Sequence, residues 1–160
     1  MKAITIRAVD EQDQVWIETL LVDHWGSTEI VSRGKVLNAE RLPAFLAELG
    51  GERMGLLTFH IVEGDCEIVT LNSLSEGSGL GKALLQAVEA EAREKRCKRL
   101  WLITTNDNVD ALRFYQKLGF HLAALYPNAI ERFREFKPQI PLIGHYGIPI
   151  RDEIELHRML

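Results

Sequence analysis

The stretch SEGSGLGKALL (Ser75–Leu85) sets three glycines, Gly77, Gly79 and Gly81, on alternate positions directly before a lysine and an apolar run. The residues after it, KALLQAVEAEAREKR, are strong helix formers and place Leu84, Leu85, Val88 and Ala92 on one face,. Upstream, CEIVTLNSL reads as a strand,. A strand, a glycine turn and a helix N-terminus aim several backbone N–H groups at one spot, and the helix dipole adds positive potential there. Such a turn suits an anion, above all a phosphate. Two nucleotide motifs are excluded by spacing. A Walker loop needs glycine where Glu76 stands and Ser or Thr where Ala83 stands, and the dinucleotide fingerprint is G-x-G-x-x-G where this is G-x-G-x-G,. The alternative is a glycine loop that only turns the corner.

Working outward, KAITIRAV alternates and is β-branched, so a strand opens the chain, and DEQDQVWIETLLVDHW then puts Val15, Trp16, Leu20 and His24 near helical spacing,. The segment VSRGKVLN is a loop or a short extended piece. In LPAFLAELGGERMGLLTFHIVEGDCEIVTLNSL, Gly50-Gly51 and Glu63–Asp65 are turn signals that separate three apolar runs, which reads as a three-stranded meander,. By its own pattern AERLPAFLAEL fits a helix equally well, with Pro43 near its first turn. After the long helix, RLWLITT is a buried strand. Asn108 can cap the helix VDALRFYQKL, which Gly119 terminates as a left-handed residue,. FHLAALY and DEIELHRML are further strands. Strands and helices interleave, so the class is α/β with a mixed sheet.

With 160 residues, 46% hydrophobic and 26% charged, the chain is expected to form one globular domain, residues 1–160,. A formal net charge of −4 argues against a general nucleic-acid surface; the basic run REKRCKR (Arg93–Arg99) reads as the solvated end of a helix,. The two cysteines, Cys66 and Cys97, lack metal-ligand spacing, and no metal is expected,. They are expected to stay reduced, with a disulfide left open. The N-terminus MKAITIRAVDEQDQ turns polar early, and nothing approaches the roughly 20 apolar residues of a membrane span,. A cytoplasmic protein that binds neither membrane nor nucleic acid is the expectation.

The run NVDALRFYQKLGF (Asn108–Phe120) resembles the N-x-x-A-x-x-(F/Y)-Y-x-x-x-G-F block of the GCN5-related N-acetyltransferase (GNAT) superfamily, and EGSGLG resembles that family's Q/R-x-x-G-x-G/A pyrophosphate loop,. The two blocks stand in the family's order, and the resemblance is best from Met54 to Tyr126. It implies an α/β GNAT fold with a mixed, predominantly antiparallel central sheet flanked by helices, in the order strand–helix–helix–strand–strand–strand–helix–strand–helix–strand–strand. It also implies that LPAFLAEL is a strand. The departure is Glu76, where the family usually carries Gln or Arg; the backbone amide is the contributor there, so the side chain should turn outward.

The activity so implied is direct attack of an amine on the thioester of acetyl-CoA in a ternary complex. Leu71, Asn72 and Ser73 would pair main chain with the pantetheine arm. Glu76, Gly77, Ser78, Gly79, Leu80, Gly81 and Lys82 would hold the pyrophosphate, with Asn108 also reaching the cofactor. Tyr115 would contact the cofactor and protonate the leaving thiolate, its alternative being a tyrosine packed in the core. Glu67, on the strand before the glycine turn, would take the acceptor's proton; its alternative is a solvent-facing glutamate. His24, His60, His121, His145 and His157 are other candidate bases. Acceptor contacts would come from His24 and Trp25 and from His145 and Tyr146, the latter in a turn-rich lip, PLIGHYGIPIRDE, or else in a plain connector. The acceptor would be a small-molecule or peptide amine, and a homodimer is left open. Transfer of another acyl group, or an acyl-CoA-binding sensor or interaction module without turnover, is the competing reading.

Overall fold

The β-branched alternation near the start of the chain gives β1 (Ile4–Ala8), and the polar run behind it is closed by a capping box between Asp10 and Asp13,. The computed structural model describes residues 2–160, and the chain divides into one unit running to Leu100 together with Leu160, and a second, Trp101–Met159.

In the first unit, α1 (Gln14–Trp25) buries Ile17, Leu20 and Leu21 and stops at Gly26, which takes φ 75°. Of the residues at helical spacing, Leu20 is buried, whereas Val15 is 76% exposed and His24 is exposed as well. Apolar residues run around most of this helix, so periodicity alone does not select the face that packs.

The segment after α1 also departs from the expected order. Where the family resemblance implies a second helix, the chain forms a hairpin, β2 (Glu29–Ser32) and β3 (Lys35–Asn38). Arg33 and Gly34, at φ 48° and 78°, make the type I′ turn that matches strand twist,. Ile30, Val31 and Val36 favour strand over helix, and Gly34 would weaken any helix through this stretch.

The meander is present as expected: β4 (Ala44–Leu49), β5 (Glu52–Val62) and β6 (Asp65–Ser73), joined at Gly50-Gly51 and Glu63-Gly64 by turns with positive φ at both central residues. LPAFLAEL is therefore a strand. The strand order here is β1-β4-β5-β6, every neighbouring pair antiparallel.

The long helix, α2 (Leu80–Glu94), buries Leu80, Leu84, Leu85, Val88 and Ala92. It packs where β5 has no side chain: a Cβ on Gly55 would lie 3.1 Å from Leu84 Cδ1 and 3.2 Å from Ala47 Cβ,. The next residue of β5, Leu56, points the other way into a cluster with Ile17, Leu20, Leu21, Ile30, Ala39, Ala44 and Val69,. The sheet is thus covered by α2 on one face and by α1 with the hairpin on the other. Cys66 and Cys97 are free and buried, and burial pushes both thiols up, Cys66 to about 12.

In the second unit, entered along β7 (Arg99–Thr105), the chain forms α3 (Val109–Lys117), β8 (His121–Tyr126), α4 (Ala129–Arg134) and β9 (Glu153–Met159). The strand order is β7-β9-β8, with β8 and β9 antiparallel. Gly119, at φ 90°, ends α3 as expected. The short α4 has no counterpart among the expected elements. The class is α/β with mostly antiparallel strands, and among the described residues no helix is long and apolar enough to cross a membrane.

Candidate functional site

The glycine stretch leaves the end of β6 as a self-closed loop. Ser73 Oγ donates to the Ser75 carbonyl at 3.1 Å, and Ser78 Oγ donates to the same oxygen. Gly77 and Gly79 stand at φ 72° and 86°, a backbone that only glycine adopts without strain, while nothing lies within 4 Å of where a Cβ of Gly77 would be,. Conformation, not crowding, therefore requires glycine there. Gly79 is the N-cap of α2 and supplies no side-chain cap, and the first turn, which includes Leu80, Gly81 and Lys82, holds no acidic residue. The leading amides of a 15-residue helix thus face the loop with no side-chain acceptor from the cap,. Glu76 and Lys82 are exposed, whereas Leu80 is fully buried and anchors the turn.

β6 carries a line of polar residues on the face that α1 and the hairpin cover. Asn72 Oδ1 accepts from Trp25 Nε1 at 2.7 Å, which brings the end of α1 to the strand. Thr70 and Thr58 hydroxyls meet at 2.7 Å across the β5–β6 pair. Glu67 is 6% exposed, so its reading as a solvent-facing residue is overturned. Its Oε2 accepts from Ser32 Oγ at 2.6 Å, inside the protein. His60 stands directly opposite Glu67 in the register and so shares its face,. Leu71 and Ser73 are half-buried at the end of the strand. Ser32 escaped the sequence reading; the signal that could have found it is Gly34 as a turn residue between the β-branched Val31 and Val36,.

In the second unit, Asn108 Oδ1 caps α3 by accepting from the Ala111 N–H at 3.2 Å. Tyr115, on the buried side of the same helix, packs edge-on against Phe114 and Phe120, with ring centroids 5.1 and 5.3 Å away. Burial alone raises its phenol well above the ordinary value, so it stays protonated,. The residue before the cap, Asp107, is buried. Its Oδ2 accepts from the His145 N–H at 3.0 Å, and its Oδ1 has no partner among the described residues. Gly144 is glycine because a Cβ would strike the Asp107 carboxylate and lie 2.7 Å from Ile150 Cγ1. Asn106 binds the Pro149 carbonyl and the N–H groups of Arg151 and Asp152, and Tyr146 donates its hydroxyl to Asp110 at 2.9 Å. Residues 144–152 are thereby tied to the turn before α3. Tyr146 is 71% exposed, so it does not pack into the core as a plain connector would have it. The His145 side chain is exposed too.

Residues 10–120 match the sequence model of the acetyltransferase (GNAT) family. The chain is 45% identical over 138 residues to the uncharacterized protein YdhI of Bacillus subtilis, covering 86% of each. A 46-residue stretch, 28% of the chain, is 41% identical to the spermine/spermidine N(1)-acetyltransferase of the same species. Among solved structures it resembles the IAA acetyltransferase of Bacillus cereus, with a TM-score of 0.76 and 23% identity over 99% of this chain and 100% of that one. It also resembles a GNAT family acetyltransferase of Elizabethkingia anophelis with acetyl-CoA bound, with a TM-score of 0.69 and 24% identity over 98% of both chains.

Proposed function

Because the chain belongs to the acetyltransferase (GNAT) family, we propose that residues 1–160 act as one cytoplasmic N-acetyltransferase domain that moves an acetyl group from acetyl-CoA to an amine. The observation that carries this reading is the loop Ser75–Lys82, with its left-handed Gly77 and Gly79 and the uncapped N-terminus of α2 behind it. Those amides would hold the pyrophosphate, and the Leu71–Ser73 main chain would pair with the pantetheine arm, so that position replaces much of the entropic barrier. Asn108 would add a contact to the cofactor while capping α3.

The chemistry needs two proton transfers. An acceptor ammonium has no lone pair, so Glu67 takes one of its protons, directly or through water; the free amine then attacks the thioester carbonyl. As the tetrahedral intermediate collapses, the C–S bond breaks and the thiolate takes a proton from Tyr115. A second N–H proton is released, so of the two protons the ammonium loses, one balances the thiol and one reaches solvent. Tyr115 suits the donor role because burial keeps it neutral,. His24, Trp25, His145 and Tyr146 would meet the acceptor.

The test is a panel of amines, including spermidine and peptides with free N-termini, incubated with acetyl-CoA and scored for thiol release and product mass. Acetylated product is expected from at least one amine. Binding of acetyl-CoA without thiol release from any would favour a sensor.

A further inference from the structure

The hairpin that stands in place of the expected second helix delivers a hydroxyl to the candidate base. Ser32 ends β2, next to the Arg33-Gly34 turn, and is 5% exposed although both turn residues are exposed. A serine so close to a hairpin tip is ordinarily solvated; here it is turned inward onto Glu67, 35 residues away in sequence, with Oγ 2.6 Å from Oε2. That is the length of a charge-assisted O–H···O⁻ bond. On the same face lie the Thr58–Thr70 hydroxyl pair and the Trp25–Asn72 bond, so Glu67 belongs to a polar strip set beside an otherwise apolar cluster of α1 and hairpin residues.

We propose that Ser32 is a positioning residue for the transfer reaction: its hydroxyl, brought by the β2–β3 hairpin, orients the Glu67 carboxylate and holds it in the ionised form that accepts the acceptor's proton. The inference rests on the reading of Glu67 as the base. Charged or titratable groups on the strands that carry Glu67 and Ser32 are His60 across the β5–β6 pair, Cys66 beside Glu67 on β6, and on the hairpin the exposed Lys35, which is opposite Ser32, with Arg33 and Glu29. His24 is next to Trp25 at the end of α1. These remain in place when the hydroxyl is removed, so a Ser32 variant isolates one hydrogen bond. A donor to the carboxylate favours the charged form, so its loss makes Glu67 harder to ionise.

The experiment uses the full chain labelled with ¹³C at glutamate carboxyls, the Glu67 resonance being assigned by its disappearance in Glu67→Gln. Ser32→Ala is expected to move the Glu67 titration up by about one pH unit, the size set by a hydrogen bond to a charged group. Ser32→Thr restores it, and Ser32→Cys, with a weak donor of similar shape, shifts it part of the way and serves should Ser32→Ala fail to fold. With the fastest amine of the panel, the acidic limb of the kcat/KM profile moves by the same amount. If Glu67→Gln retains that limb, the base reading and this inference fall together. If Glu67→Gln removes the limb while the Ser32 variants leave the titration or the limb unmoved, the role of Ser32 alone is overturned.

Discussion

Among the described residues of the first unit two carboxylates are buried, Asp13 and Glu67, and their surroundings differ in kind. Asp13 lies at the start of α1 and has no exposed side-chain surface. It accepts two hydrogen bonds from Arg7 at 2.8 Å and one from Arg53 Nε at 2.9 Å, while Arg7 also reaches Glu48. The Arg7 hydrogen bonds hold its carboxyl far below the usual carboxylate range. Glu67, buried as well, accepts from the neutral hydroxyl of Ser32 at 2.6 Å. A carboxylate gripped by two guanidiniums is fixed in one charge state and ties β1, α1, β4 and β5 together. Glu67 has a hydroxyl donor in the place of those cations. The first arrangement serves the fold, and the second suits the base role proposed for Glu67.

The contrast breaks first on activity. Glu67→Gln is expected to lower kcat/KM by something like the 10²–10⁴-fold typical of general acid–base catalysis, with the melting temperature little changed. Tyr115→Phe is expected to fall in the same range while acetyl-CoA affinity survives. Steady-state rates beside a thermal melt check both. Asp13→Ala should do the reverse, costing about 2 kcal/mol of stability by removing the acceptor that Arg7 and Arg53 share, with turnover intact below the melting transition. Because the folded pKa of Asp13 is depressed, its stabilisation is present above the unfolded value of about 3.9 and is lost as pH falls through the folded value. Urea unfolding at neutral and at strongly acid pH should therefore show the gap between wild type and Asp13→Ala closing on acidification. A smaller effect is expected at the loop: Gly81→Val should weaken acetyl-CoA binding by about tenfold, one charge-assisted hydrogen bond's worth, in a folded protein, as read by calorimetry.

What the sequence discloses of this molecule tracks how local the cause is. The loop and α2 are legible because glycine conformation and helix periodicity act within a few residues, and Leu84, Leu85, Val88 and Ala92 are indeed buried. The Asn108 cap and the Gly119 stop are local in the same way. The β2–β3 hairpin is legible only as a possible short extended piece in VSRGKVLN, because its strands are four residues long and its turn puts an arginine at positive φ,. The six-residue α4 is too short for periodicity to register. The position of Glu67 is legible from the motif downstream of it, but its burial and its bond to Ser32 are not, since both are made by packing 35 residues apart. The tether of Asp107 to His145 is long-range in the same sense.

Direct transfer is the centre of the proposed mechanism, and the protein has buried, protonated cysteines ill-suited to carry an acetyl group,. The most direct measurement varies acetyl-CoA and an active amine together and records initial velocity, with an intact mass of the protein taken after acetyl-CoA alone. Intersecting reciprocal lines and an unchanged mass are expected for a ternary complex. Parallel lines, together with a single acetyl group on the protein that departs when amine is added, would contradict it.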